Sequence, residues 1–327
     1  NGEKNLTGKV EIAEGLTAQS ASRRIENMTY KEADGQGQYL YTPAEDEVQT
    51  QFSRAITGGT DQYYVDAGIK QADGTYKFVK DSTITIGDEI LGETTPITAN
   101  GGDKVIVDAA GTTLTLHSVG KSLRTGIATN IKNNKTIDIT ADKLIINAEN
   151  TGGMSRAYGI WYTGNNSTLD VHGDTDITTN GSDWSYGILS GMASKVNLQG
   201  LKVAVNKEAK ESGALKGSGN SMISVNVKDG VVGNHKVQID GDVITQLEIN
   251  DDGFGTVTQT GPSTINLALT SAESFWNGSS VYTDTVEEGF DEDETITKTH
   301  GDVNLWLQNG ARSVSYTHLT LPTKLEV

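Results

Sequence analysis

Cysteine is absent from these 327 residues, which excludes disulfides, thiolate metal sites and cysteine nucleophiles together. Proline and methionine are scarce, at 4 each. No apolar run approaches the roughly 18 residues that a membrane-spanning helix needs. Basic residues are outnumbered, with 26 Lys and Arg against 43 Asp and Glu and a formal charge of −17. Without a basic patch to release counterions from a phosphate backbone, nucleic acid is set aside as a partner. For a chain exported through a narrow pore the lack of cysteine has a use, because a disulfide formed too early would lock loops that have still to thread. A cytosolic protein can lack cysteine by chance as well. No charged-then-apolar signal segment precedes Asn1 and no Met opens the chain, so the expectation is a mature or truncated fragment.

What is present is a turn-rich, strand-rich composition. There are 38 Gly, with abundant Thr, Asn, Asp and Ser, so turns are frequent and long helices few. Hydrophobic residues make up 35% and charged residues 21%, and the apolar ones fall in short alternating runs, which describes a folded all-β chain and not a disordered one.

Those runs repeat. Thr113-Leu114-Thr115-Leu116, Thr136-Ile137-Asp138-Ile139, Thr168-Leu169-Asp170-Val171, Lys195-Val196-Asn197-Leu198 and Met222-Ile223-Ser224-Val225 each send apolar side chains one way and polar ones the other. A second series reads Thr125-Gly126-Ile127, Tyr158-Gly159-Ile160, Tyr186-Gly187-Ile188 and Ser212-Gly213-Ala214. A third reads Leu144-Ile145-Ile146-Asn147, Asp176-Ile177-Thr178-Thr179-Asn180 and Lys202-Val203-Ala204-Val205-Asn206. Three strand-like runs per period of roughly 27 residues make one solenoid coil. One coil cannot bury its inward Leu, Ile and Val alone, but coils stacked at about 4.8 Å place like residue over like and pair every backbone group. The predicted fold is all-β, a right-handed parallel β-helix (β-solenoid) with about three strands per coil. Glycine at the Tyr-Gly-Ile positions fits corners that need positive φ or close backbone approach, and Asn at strand ends fits its tolerance of the left-handed region.

The alternation extends upstream to Ser82-Thr83-Ile84-Thr85-Ile86 and Lys104-Val105-Ile106-Val107, and downstream as far as Val303-Asn304-Leu305-Trp306-Leu307. About ten coils would make a rod on the order of 50 Å. Three regions are expected: an irregular N-terminal β region over 1–80, the solenoid over 81–312, and a tail over 313–327. The first contains strands near Leu6 to Ile12 and Gln38 to Tyr41. It also contains a short amphipathic helix with Thr42 as N-cap, Pro43 at the first helical position, and Val48, Phe52, Ala55 and Ile56 on one face. In the tail, Ser315-Tyr316-Thr317-His318-Leu319-Thr320-Leu321-Pro322-Thr323-Lys324 resembles translated sequencing-adaptor DNA and is left out of the fold reasoning.

A search for chemistry returns little. Asp138 and Asp170 stack in register with Asn197 following, but they alternate with inward Ile and Leu and are read as facing water. The pair of carboxylates that glycoside hydrolysis needs is therefore not assigned. Asn250-Asp251-Asp252-Gly253 reads as a turn. His117, His172, His235, His300 and His318 show no metal-ligand spacing, Arg23-Arg24 and Arg124 join no carboxylate cluster, and the acidic run Asp284 to Glu294 follows no calcium-loop pattern. No phosphate loop or Gly-x-Ser-x-Gly elbow is present. The sequence assigns no catalytic residue, no metal and no cofactor. One local binding hypothesis remains: Tyr158, Trp161, Tyr162, Trp184 and Tyr186 recur around one corner of successive coils. Exposed, they form a platform for sugar rings or a partner; packed, they form a stacking ladder.

The Tyr-Gly-Ile corners, the Ser-Thr-Leu-Asp-Val and Ser-Lys-Val-Asn-Leu strands, and Leu269-Thr270-Ser271-Ala272-Glu273-Ser274-Phe275-Trp276-Asn277-Gly278 followed by Val303-Asn304-Leu305-Trp306-Leu307-Gln308-Asn309-Gly310 resemble autotransporter passenger domains of Gram-negative bacteria, with a pectin-lyase-like parallel β-helix. The resemblance covers about Ser82 to Ala311. It implies export across the outer membrane through a C-terminal β-barrel lying beyond this chain. It further implies display at the cell surface as a non-enzymatic adhesin or interaction rod for host or matrix glycans or proteins, or for neighbouring cells. None of the family's protease motifs is present. The alternative is a polysaccharide lyase or glycoside hydrolase on the same scaffold.

Overall fold

The structure is a computed structural model. The structure describes residues 28–33, 36–41, 48–88, 93–129, 131–153, 155–251, 257–259, 261–286 and 301–314. It divides into two compact units, Asn1–Thr50 and Gln51–Val327. In the first, Met28–Ala33 and Gln36–Tyr41 pair as an antiparallel hairpin. The second is a parallel β-solenoid.

Each central coil has three legs. The first two run as one long bent strand, seen in Lys104–Gly120, Thr136–Asn150, Thr168–Asn180 and Lys195–Val205. The bend is marked by a shift of register, between Ala109 and Thr113 in one coil and between His172 and Asp174 in another. Gly111 and Gly173 take positive φ there, at 79° and 106°, a region open to glycine because it has no Cβ. The third legs, Arg124–Ala128, Arg156–Thr163, Trp184–Gly191 and Glu211–Ser218, stack in a separate parallel sheet.

The alternating pattern produces the core directly. On the second leg Phe52, Ile84, Leu116, Ile146, Ile177, Val203, Ile239 and Trp276 lie one above the next, and all are buried. On the first leg the column is Val105, Ile137, Leu169, Val196, Ile223, Ile265 and Val303. On the third, Ile97, Ile127, Ile160, Ile188, Leu215 and Val243 stack likewise. Where the chain passes from third leg to first, buried serines close the corner: Ser194 donates to the Tyr162 carbonyl at 2.7 Å and Ser221 to the Ser190 carbonyl at 3.0 Å. These bonds tie each serine to a backbone carbonyl of the preceding coil.

Three expectations are corrected. Leu114 does not stack under Ile137; it belongs to the second leg, over Leu144, and Val105 is the partner of Ile137. Two legs share one continuous strand, so alternation alone cannot say which leg a residue occupies. Gly213 does not continue the corner glycines, because Tyr186 pairs with Gly213 and Ile188 with Leu215, which puts Ala214 beside Gly187. The start of the helix expected after Thr42 lies in residues 42–47, outside the described residues. The apolar face given to it is corrected: Val48 to Ile56 hold no helix but the strand Gln51–Phe52, because Phe52, Ala55 and Ile56 reach the core by joining the end of the ladder. A short helix lies at Gln62–Asp66.

Glycine at Gly126, Gly159 and Gly187 is required by close approach. A Cβ on Gly159 would lie 2.2 Å from Ile177 Cγ2 and 2.6 Å from the Gly187 carbonyl oxygen. Asparagine occupies half of the non-glycine positions with positive φ among the described residues, including Asn134, Asn166, Asn220 and Asn226, as its short side chain allows.

Candidate functional site

The aromatic residues at the corner are packed. Tyr158 and Tyr186 are paired in register on neighbouring third legs, with ring centroids 6.0 Å apart and planes at 12°. Trp161 stacks on Tyr158 at 5.3 Å. The Arg156 guanidinium sits 3.8 Å from the centre of the Trp184 ring and the Lys216 ammonium 4.9 Å from that of Tyr186, both within cation–π range. The Tyr186 hydroxyl donates to Glu211 at 3.0 Å. Ile244 completes this outer cluster, with Leu123, Leu189 and Val281 against it. Tyr158 and Tyr186 are each only 3% exposed, so their faces are already covered. Burial pushes the Tyr158 phenol up to about 12, with Arg156 pulling the other way and Glu211 adding to the rise. Burial, then the hydrogen bond and charge of Glu211, raise Tyr186. Tyr162 does not join them. Its side chain is in the core, donating to the Thr168 carbonyl at 2.6 Å with the Lys135 carbonyl at 3.1 Å. Four of the five aromatic candidates therefore meet, and only Trp161 and Trp184 keep part of their surface in water.

On the outer face of the first legs the polar residues form their own column. Asp138, Asp170, Asn197, Ser224, Asn266 and Asn304 are in register. Asn197 donates to Asp170 at 2.9 Å, Asn266 to Ser224 at 3.1 Å and Asn304 to Asn266 at 2.9 Å.

One coil departs from this regularity. Between Met222–Val225 on the first leg and Val237–Asp240 on the second, the chain inserts an antiparallel hairpin, Val227–Lys228 with Val231–Val232. Asp229 and Gly230 at its tip have φ of 50° and 78°, as a type I′ turn demands. Buried Asn226, with φ of 59°, clamps its stem: the side-chain amide donates to the carbonyls of His235 at 3.0 Å and Ala268 at 3.1 Å, and its oxygen accepts from the His235 backbone N–H at 3.1 Å. The hairpin overhangs the outer face of two neighbouring coils and encloses a cleft of about 300 Å³. Val227 and Val232, paired across the hairpin, share its one face and line the cleft with Asp170, His172, Asn197, Gln199 and His235. His172 Nε2 is 3.4 Å from Asp138 Oδ1, and His235 Nδ1 is 3.3 Å from Asp174 Oδ1. The Gln199 side-chain oxygen accepts from the Gly173 N–H at 2.8 Å, which fixes the amide.

Sequence reading missed this cleft. The Asp229-Gly230 pair flanked by valines is a hairpin signal that could have found its roof, but His172 and His235 sit at different points of their coils and no spacing brings them together. Arg124, read as unattached, is buried and ion-paired with Asp88. Among the described residues no group of three or more His, Asp or Glu could hold a metal ion, and no helix is long and apolar enough to cross a membrane. The acidic run beyond Val286, Asp252-Gly253, Arg23-Arg24, His300, His318 and the strand expected near Leu6 lie outside the described residues. No protein-family profile, curated protein or solved structure matches the chain. The fold thus defines the class, a parallel β-solenoid, and the function is argued from the residues themselves.

Proposed function

We propose that this chain is the passenger segment of an autotransporter, displayed at the cell surface and acting as a non-enzymatic binding solenoid for host or matrix glycans or proteins, or for neighbouring cells. The observation that carries this reading is the outer column from Asp138 to Asn304. Its side chains bond to one another along the coils and present a regular polar surface, where a catalyst would need carboxylates converging on one bond. The repeated Tyr-Gly-Ile corners and the Phe275-Trp276-Asn277-Gly278 segment, whose Trp276 closes the second-leg column, support the family. Membrane attachment would come from a C-terminal β-barrel, as in that family.

The test is to apply the full chain to immobilised glycans and matrix proteins while assaying the same sugars for cleavage. Saturable binding without product is the expected result. Formation of product would favour the second reading, a polysaccharide lyase or glycoside hydrolase, which draws on Asp170 and His172 lining one cleft with Asp138 beside them.

A further inference from the structure

We infer that the cleft beneath the Val227–Val232 hairpin is the ligand site of this solenoid, and that its ligand is a neutral pyranose unit of a glycan. This rests on the binding reading above and adds to it a place and a chemical class.

The first argument is construction. The roof of the cleft is not a loose loop. Its tip is a two-residue turn with the positive φ angles that the turn requires, and its stem is tied down by Asn226, which is 3% exposed and bonded on both its oxygen and its nitrogen. The floor is carried by strands in the middle of the ladder. A cavity that is already formed avoids the ordering cost that weakens binding to mobile surfaces. Its volume of about 300 Å³ stands at the small end of ligand sites.

The second argument is the division of its lining. A pyranose ring has a C–H face and an edge of hydroxyls that each donate and accept. The valine wall of the hairpin suits the face. The opposite wall offers Asp170, whose Oδ1 is held by Asn197 and whose second oxygen remains as an acceptor, together with the amide nitrogen of Gln199, whose oxygen is fixed by Gly173. A carboxylate and oriented amides against an apolar wall is a lining for a polyol.

The third argument is charge. Asp170 lines the cleft, and Asp138 and Asp174 stand behind its two histidines. Lys228 at the rim is the only lysine of the lining. A uronate or sialate carboxylate brought to that wall meets like charge, which costs affinity and selects against acidic sugars.

The experiment titrates the full chain with lactose, maltotriose and mannotriose, and separately with digalacturonate and sialyllactose, by calorimetry and ligand-observed NMR. At least one neutral sugar should bind saturably and more tightly than either acidic one. Asn197→Ala and Val232→Asp should each weaken that binding by about tenfold or more. Val79→Asp, the same change at an exposed valine away from the cleft, should leave it unchanged and controls for the added charge. Neutral-sugar binding that ignores both cleft variants overturns the placement and leaves the binding function standing. Tighter binding of the acidic sugars overturns the ligand class. No sugar binding, while matrix proteins are still captured, overturns the inference alone. Cleavage of a bound sugar, abolished by Asp170→Asn, overturns the non-enzymatic reading while keeping the cleft as the sugar site.

Discussion

Substituting Gly159 by alanine tests the packing of the coil most directly. The added methyl would stand 2.2 Å from Ile177 Cγ2 and 2.6 Å from the Gly187 carbonyl oxygen, whereas non-bonded carbons prefer about 3.5–4.0 Å. Overpacking of this kind costs about 1–3 kcal/mol. The upper end is expected here, because the oxygen belongs to the backbone of the next coil and cannot swing aside. In a chain of this size about 3 kcal/mol corresponds to a fall in Tm of roughly 4–5 °C, read by circular dichroism during heating. Gly153→Ala is the control: nothing lies within 4 Å of its added methyl, so its effect should stay within about 0.5 kcal/mol. Ile177→Ala alone should cost about 2–5 kcal/mol by leaving a cavity. Combined with Gly159→Ala it removes the Cγ2 that the new methyl strikes, so the pair should be less damaging than the sum by about 0.5–3 kcal/mol, with a residue left from the Gly187 oxygen. A Gly159→Ala protein that melts with Gly153→Ala, or a strictly additive double variant, would refute the close-approach argument for the corner glycines.

Other outcomes follow from the polar groups. Asn226→Ala should strand the backbone groups of the hairpin stem, at about 1–3 kcal/mol for the buried groups left unpaired, and open Lys228 to faster cleavage in limited trypsinolysis. Asp183 is held below the usual carboxyl range by its hydrogen bond from Lys210 and then by the Ser155 N–H. Its contribution is therefore present above that range and lost as the pH falls through its lowered value. Asp183→Asn should melt earlier than the parent at neutral pH, and the two curves should converge as the pH falls through that lowered value; a constant difference would count against the assignment. The raised phenol of Tyr158 acts in the opposite sense, its contribution being intact below about pH 10 and lost as the pH rises toward about 12. Tyr158→Phe should lower the late part of an absorbance titration of phenolate by one phenol, and an unchanged late amplitude would show that Tyr158 does not contribute to it.

Much of the solenoid was legible because its core uses the simplest signal a strand has. Ile137, Leu169, Val196 and Ile223 alternate with Asp138, Asp170, Asn197 and Ser224, and the structure stacks both sets as written. The errors came where two physical causes give one pattern. Leu114 and Val105 sit on the same bent strand, so periodicity of two marks both and cannot divide them between legs. At Ser212-Gly213-Ala214 the small residue beside Gly187 is Ala214, so a motif built on glycine slipped by one. Phe52, Ala55 and Ile56 have helical spacing, but they gain more by capping the apolar column. Of the site, the aromatic grouping was legible from its recurrence, apart from the inward turn of Tyr162. The cleft was not, since Asp170, Gln199 and His235 come from three coils at unequal offsets, and only the fold sets them side by side.

The hairpin also shows what this architecture tolerates. The corner that Gln199 and Gly200 turn in one coil is turned in the next by everything from Asn226 to Lys236, yet Val196 still meets Ile223 before it and Val203 still meets Ile239 after it. Lengthening the chain there costs only slowly growing loop-closure entropy and leaves the ladder in phase. That corner is a grafting point: a foreign loop spliced after Val225 would be carried on a fixed frame, and a lineage could exchange what it presents to its surroundings without redesigning the column that holds it up.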